Sequence, residues 1–291
     1  MSTIYDTSVL ITGGAGELGR LLAEKSLTAG ASRIILWDVN REGLEEAKRE
    51  LVDISSPEVR IHTQQVDLTR KNEIYSRAEQ LVEEQGPVDL LFNNAGVVAG
   101  KMFHQYTRDE IEWIIRVNTL GVMHTTLAFL PYMLEHNSGH IINIASAIGL
   151  MANTQMSAYV ASKWAVSGWS ESLRLELKMM NRDIRVTTVQ PGYIRTKMFA
   201  GAKAPLLTPI LEPEFITDKI IQAVIRNKPF VREPLMVKLI PLLRGVLPNN
   251  LFNLLAGKLF GVHRSMEQFK GRRDQAPSVF ESKAVEEDDV Q

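Results

Sequence analysis

The sequence contains no cysteine, which excludes disulfides, thiolate nucleophiles and cysteine-ligated metals and fits a reducing compartment. It also lacks a charge imbalance: 33 lysines and arginines stand against 34 aspartates and glutamates. No global field therefore draws the chain to nucleic acid or another polyanion. No uncharged apolar run reaches the roughly 18 residues of a spanning helix. The six histidines, His62, His104, His124, His136, His140 and His263, form no His-x-x-x-His or carboxylate-flanked pair, so no metal site is expected. Ser146 and Ser162 lack the glycine frame of a nucleophile elbow. Too little chain precedes the first strand, at Ser8, for a signal peptide or membrane helix, so the expectation is a cytoplasmic protein whose mature chain begins here.

What is present is 291 residues, 45% of them hydrophobic, enough to build a sizeable core in one domain. Short apolar runs rich in β-branched residues alternate with longer segments of helical periodicity, the signature of βαβ units. Strands are predicted at "SVLIT" from Ser8, "RIILW" from Arg33, "RIHTQQV" from Arg60, "VDLLF" from Val88, "HIINIA" from His140, "RVTTVQ" from Arg185 and "PFVRE" from Pro229. Several are apolar at consecutive positions, as a parallel sheet covered on both faces requires. Between them, "GLEEAKREL" and "RDEIEWIIRVNTLGVMHTTLAFLPYML" carry apolar residues three and four apart, the spacing of amphipathic helices. The predicted fold is α/β, a doubly wound parallel sheet of about seven strands with helices on both faces and a carboxy-terminal helical extension.

The stretch "LITGGAGELGRLLAEK" joins the first strand to the first helix, where backbone N–H groups and the helix dipole favour a diphosphate. Its glycines are Gly13, Gly14, Gly16 and Gly19; taken alone, they serve a tight turn equally well. Glu17 stands where the dinucleotide-binding pattern asks for glycine. Opening the first helical turn, it can project away from the loop and suit the helix dipole, so binding is expected to survive. Asp38, 19 residues after Gly19 at the end of the second strand, has about the spacing at which a carboxylate holds an adenosine ribose. Its charge would repel a 2′-phosphate and no arginine or lysine directly follows, which favours NAD over NADP.

In "SAYVASKWAV", Tyr159 and Lys163 are four apart on a predicted helix, on one face and about 5–6 Å apart at Cβ. A lysine cation at about 5 Å contributes roughly 3 kcal/mol at an effective dielectric of ~20, which would move a phenol by about two pKa units toward neutrality. Such a tyrosine passes protons near neutral pH.

From residue 5 to residue 232 the sequence resembles the short-chain dehydrogenase/reductase family. The family's glycine motif matches Thr12, Gly13 and Gly19, its adenine-side aspartate matches Asp67 before Leu68, and its "NNAG" segment matches Asn93, Asn94, Ala95 and Gly96. Asn118 in "RVNTLG", Ser146 in "NIASAIG", Tyr159 and Lys163 match the four catalytic positions; "PGYIRT" supplies Pro191, Gly192, Ile194 and Thr196 on the nicotinamide side. The resemblance implies a Rossmann-like fold and NAD held by residues 12–14 and 16–19, Asp38, Asp67, Leu68, Asn94, Ala95, Gly96, Tyr159, Lys163, Pro191, Gly192, Ile194 and Thr196. It also implies hydride transfer with Tyr159 as general acid or base, Lys163 on the ribose, Ser146 on the substrate oxygen and Asn118 seating a water. A homodimer or homotetramer is implied through the helices that carry Asn118 and Tyr159. In these terms, residues 1–234 form one NAD-binding catalytic domain, 235–275 an amphipathic helical extension of it, and 276–291 a disordered acidic tail.

The substrate end is read from "KMFAGAKAPLLTPILEPE", at the position of the family's lid, and from Ile148, Leu150, Met151, Tyr193, Met198 and Phe199. Their apolar character predicts a hydrophobic alcohol or carbonyl, although the same residues serve equally to pack the loop on the core. "LWDVN", "LEPE" and the extension most resemble the branch acting on retinoids, steroids and long-chain alcohols. Between Leu235 and Met266 every formal charge is positive, and Leu251, Leu254, Leu255 and Leu259 repeat at helical spacing, with Lys238, Pro241, Arg244 and Pro248 as interruptions. Residues 235–265 read first as a cap over the site or a subunit contact, and second as a peripheral membrane contact. The rival functions are a non-catalytic NAD-binding sensor or scaffold and a membrane-surface module.

Overall fold

The computed structural model describes residues 4–269, so positions 270–275 of the predicted extension and the predicted tail 276–291 lie outside the described residues. All seven predicted strands are present: β1 (Ser8–Thr12), β2 (Arg33–Asp38), β3 (Arg60–Gln65), β4 (Leu90–Asn93), β5 (Gly139–Ile144), β6 (Ile184–Pro191) and β7 (Phe230–Glu233). They form one sheet in the order β3-β2-β1-β4-β5-β6-β7, and every pairing is parallel. The order reverses between β1 and β4, and a crevice opens beyond the carboxyl ends of the strands at such a switch point.

Burial on both faces explains the continuous apolar runs. In β1, Val9 and Ile11 pack into one core with Leu22 of α1 (Glu17–Thr28), Leu44 of α2 (Arg41–Ile54) and Ile220 of α7 (Pro213–Ile225). Leu10 points the other way, into a core with Ile74 of α3 (Lys71–Gln85), Phe129 of α5 (Val122–His136) and Leu173 of α6 (Ser157–Met179). The sheet thus separates two cores, as doubly wound packing requires.

The long predicted central helix is continuous but not uniform. Thr107 caps α4 (Arg108–Ile115) by accepting from Glu110 N at 3.2 Å, while the Glu110 carboxylate accepts from Thr107 N at 2.8 Å. A π-helical turn at Arg116–Gly121 then joins α4 to α5, and such insertions occur frequently at functional sites. Under the crevice, Asn93 Nδ2 donates to Asn143 Oδ1 at 2.8 Å and to Thr126 Oγ1 at 2.9 Å, and Asn143 Nδ2 donates to Ser170 Oγ at 2.9 Å. These buried amides tie β4 to β5 and both to α5 and α6.

Beyond β7, α8 (Leu235–Val246) runs through Pro241, and Pro248 separates it from α9 (Asn249–Leu254), which continues into a π-helical turn at Leu255–Leu259. Val237, Ile240, Phe252 and Ala256 bury against Met151. Arg244 donates to the Leu150 carbonyl at 2.8 Å and lies 4.7 Å over the Trp164 ring, so the extension is fastened beside α6. Its leucines divide: Leu235, Leu242 and Val246 are 66%, 63% and 72% exposed along one side of α8, and Leu251, Leu254 and Leu259 also face out. Among the described residues, no helix is long and apolar enough to cross a membrane.

Candidate active site

A cleft of about 590 Å³ lies over the carboxyl ends of the strands, within the roughly 300–1,000 Å³ range of cofactor and ligand sites. Its first wall is the loop after β1. Gly13 has φ +67°, and Gly16 caps α1 with Glu17 as its first residue. A Cβ on Gly19 would collide with the Gly13 carbonyl and come 2.9 Å from Gly14 Cα, so only glycine lets the helix sit this close under the loop. Glu17 lines the cleft yet is exposed on the first turn, where its sequence position had placed it.

Asp38 has two roles in this wall. It lines the cleft, and its carboxylate accepts from Ala15 N at 3.1 Å and Asn40 N at 2.9 Å, so it also fixes the glycine loop. Arg20, the next residue after Gly19, is held by Glu46 at 2.6 Å and Glu50 at 2.8 Å. Thr12 Oγ1 accepts from Asn94 N at 3.0 Å and Ala95 N at 3.1 Å, bracing the loop after β4 against the loop after β1. Thr12 and Gly14, predicted to touch the cofactor, stand behind the lining as supports. The other predicted cofactor positions, from Gly13 through Asp67, Leu68 and Gly96 to Pro191, Gly192, Ile194 and Thr196, line the cleft.

Three of the four predicted catalytic side chains meet there: Ser146 after β5, and Tyr159 and Lys163 on α6. Lys163 Nζ donates to the Ile144 carbonyl at 2.8 Å and lies 5.7 Å from the Tyr159 ring centroid. Asn118, on the π-helical turn, stands behind the wall. Its Nδ2 donates to Val97 O and its Oδ1 accepts from Val97 N, both at 2.8 Å, and Nδ2 also reaches Ser162 Oγ at 3.1 Å. The amide therefore clamps the loop that follows β4.

The electrostatics correct one expectation. Lys163 was expected to bring the phenol toward neutrality, but burial pushes the Tyr159 pKa above its ordinary value and Tyr193 adds to the rise, with only the Ser146 hydrogen bond acting against them. The same burial brings the Lys163 ammonium down to about 8. Desolvation outweighs the cation because both groups are almost fully buried, at 4% and 3% exposure.

The substrate-side residues are split. Met198 and Phe199 line the cleft. Ile148 and Tyr193 lie one layer back, in an apolar cluster with Tyr159, Met156 and Met266. Met151, expected at the substrate, instead packs under α8 and α9, because the extension covers it. Sequence reasoning missed Trp113 and Val117, which line the cleft from α4 and the π-helical turn, and Met266, which comes from the far end of the described chain. Among the described residues no cluster of three metal-ligating side chains occurs.

Residues 7–206 match the family described as short chain dehydrogenase. The chain is 37% identical over 268 residues to epidermal retinol dehydrogenase 2 of Mus musculus, covering 91% of this chain and 85% of the relative. Among solved structures, a short chain dehydrogenase/reductase from Burkholderia phymatum in complex with NAD superposes with a TM-score of 0.75 at 24% identity, over 84% of this chain and 95% of that one. A metagenomic short-chain oxidoreductase in complex with NADP gives a TM-score of 0.67 at 28% identity, over 80% and 100%.

Proposed function

The chain belongs to the short-chain dehydrogenase/reductase family and is an oxidoreductase, and from that premise we propose that it transfers hydride between NAD and a hydrophobic alcohol or carbonyl of retinoid, steroid or long-chain type. The observation that carries this reading is the convergence of Ser146, Tyr159 and Lys163 on a cleft whose loop after β1 packs so closely that a side chain at Gly13 or Gly19 would collide with the protein. Such a wall fits a pyrophosphate approaching backbone N–H groups. When bound, the dinucleotide supplies the hydride acceptor or donor.

The residues of the chain supply the rest. Gly13, Gly16 and the amino end of α1 would hold the diphosphate, Asp38 the adenosine ribose, and Lys163 the second ribose. NAD is the preferred form: the Asp38 carboxylate repels a 2′-phosphate, and the nearby Arg20 is already occupied by two glutamates. Tyr159 holds or delivers the proton at the reacting oxygen, and Ser146 orients that oxygen. Asn118 fixes the Val97 loop on the opposite wall and so positions the site. The apolar walls formed by Met198, Phe199 and Trp113 favour a greasy substrate, and the mouse relative is named for retinol.

Tyr159→Phe keeps the ring and removes the proton. Turnover of retinol or a long-chain alcohol, followed by reduced-nicotinamide absorbance, is expected to fall by about 10²–10⁴-fold while NAD affinity holds. Retained turnover overturns the assignment, and a wild-type protein that binds NAD but turns over no alcohol favours the sensor or scaffold alternative. The exposed apolar side chains of Leu120, Leu127, Trp164 and Leu175 support pairing of subunits through the helices that carry Asn118 and Tyr159. The outward row Leu235, Leu242 and Val246 supports a second reading, in which α8 rests on a membrane from which lipid-soluble substrate enters. The cysteine-free composition fits work on its reducing, cytoplasmic side.

A further inference from the structure

The wall of the cleft that carries Asp38 is held by a closed ring of hydrogen bonds, and a residue outside the lining completes it. Ala15 N donates to Asp38 Oδ2 at 3.1 Å and Asn40 N donates to Asp38 Oδ1 at 2.9 Å, so both carboxylate oxygens are held by backbone. Each oxygen keeps a second lone pair for a ribose hydroxyl. Asn40 caps α2, its side-chain oxygen accepting from Gly43 N at 3.1 Å. Arg20, in the opening turn of α1, spans what remains: its Nε donates to Ala15 O at 3.0 Å and its Nη2 to Gly43 O at 3.2 Å. The ring therefore runs from Arg20 through Ala15, Asp38, Asn40 and Gly43 back to Arg20, and joins α1, the glycine loop, the end of β2 and the first turn of α2. It is tightly packed as well, because a Cβ on Gly43 would come 2.7 Å from Asn40 Nδ2 and 3.0 Å from Ala15 Cβ.

Further along α2, Glu46 and Glu50 meet the same guanidinium at 2.6 and 2.8 Å. These carboxylates are more than half exposed, so as ion pairs they add little to stability. Their effect is to hold the planar fork across the two carbonyls, which only arginine can bridge with donors to spare. With two glutamates on it, the guanidinium is also neutralised within the protein and does not draw a 2′-phosphate. We propose that Arg20 is a positioning residue for cofactor selection: by closing the ring it fixes the Asp38 carboxylate in the orientation that receives the adenosine ribose and repels a 2′-phosphate. The inference rests on the reading of Asp38 as the group that holds that ribose. Without Arg20 the Ala15 peptide and the first turn of α2 lose their common anchor, and the carboxylate is free to turn from the ribose.

The test is calorimetric titration of NAD and NADP into the wild type, Arg20→Ala, Arg20→Lys, Asp38→Asn and the double variant Arg20→Ala/Asp38→Asn, with the Tm of each. Arg20→Ala is expected to weaken NAD about tenfold and NADP little, so that the preference for NAD falls about tenfold, the effect of losing a well-made hydrogen bond to a charged group. Arg20→Lys keeps the charge beside the glutamates but cannot bridge both carbonyls, so the Tm should recover while the preference does not. Asp38→Asn is expected to lower the preference by itself, and adding Arg20→Ala should then change it no further, because Arg20 acts through Asp38. A residue that only stabilised the fold would weaken both nucleotides alike in both backgrounds; that result, or an unchanged preference in Arg20→Ala, overturns the proposal. Should Arg20→Ala fail to fold, Arg20→Lys decides alone, and a wild-type preference in it overturns the ring. Full preference in Asp38→Asn refutes the reading of Asp38 and this inference with it, whereas a wild type that binds neither nucleotide refutes the cofactor reading as a whole.

Discussion

Lys163 buries an ammonium beside a phenol, and the cost of doing so is open to measurement. Its pKa falls from 10.5 to about 8 through burial, so below pH 8 both folded and unfolded chains carry the proton and the penalty is present in full. Between pH 8 and 10.5 the unfolded chain binds more protons, so this group's contribution to stability rises with pH. Replacing Lys163 by methionine removes the charge but leaves the Ile144 carbonyl without its donor. We expect the variant to be more stable than the wild type by about 1–2 kcal/mol at neutral pH, with the gap closing as pH climbs through that window, and to be inactive. Urea unfolding at pH 7 and at pH 10 checks this; a variant less stable at pH 7 contradicts it. Tyr159 and Lys163 were legible in the sequence because four-residue spacing on a helix fixes a shared face. The direction of the phenol shift was not, since it depends on how deeply Ile148, Met156 and Met266 enclose the ring, and Met266 comes from a part of the chain far from the other two.

The turn from β1 into α1 shows how unequal neighbouring positions can be. Glu17 and Gly19 both fall in the motif, yet the side chain of one is exposed on the first turn of α1 while a side chain on the other would strike Gly13. Isothermal titration should therefore find NAD affinity within a few-fold of wild type in Glu17→Gly, and binding lost in Gly19→Ala together with a lower Tm. A large gain in Glu17→Gly would mean that the native carboxylate impairs the loop. Strand positions were readable because helices bury both faces of the sheet and make each strand a continuous apolar run. The π-helical turn at Arg116–Gly121 left no such mark: the apolar period runs through it, and only its hydrogen bonding sets Asn118 against Val97. Pro241 lies inside α8, where the packing of Val237 and Ile240 holds the helix together across it.

The whole molecule presents two unlike ends, a cleft built from strand termini and an extension whose leucines face outward. If α8 rests on lipid, flotation with anionic vesicles should carry the wild type and leave Leu242→Glu/Val246→Glu behind, with NAD affinity the same in both. Equal failure to float, at any salt concentration, ends the membrane reading and leaves the cap or a subunit contact. The nucleotide half of the molecule was legible because its motifs are local; the substrate half was not, because Met266 and Ser265 join Tyr193 and Asn153 only through the tertiary fold. One consequence lies in the pairing of Asn93 with Asn143, which stand opposite each other across β4 and β5. A slip of one position would part the two carboxamides and carry Asn94 and Ser146 about 3.3 Å out of step. The alignment of the chemistry is thus gauged by a latch inside the protein that no reactant ever meets.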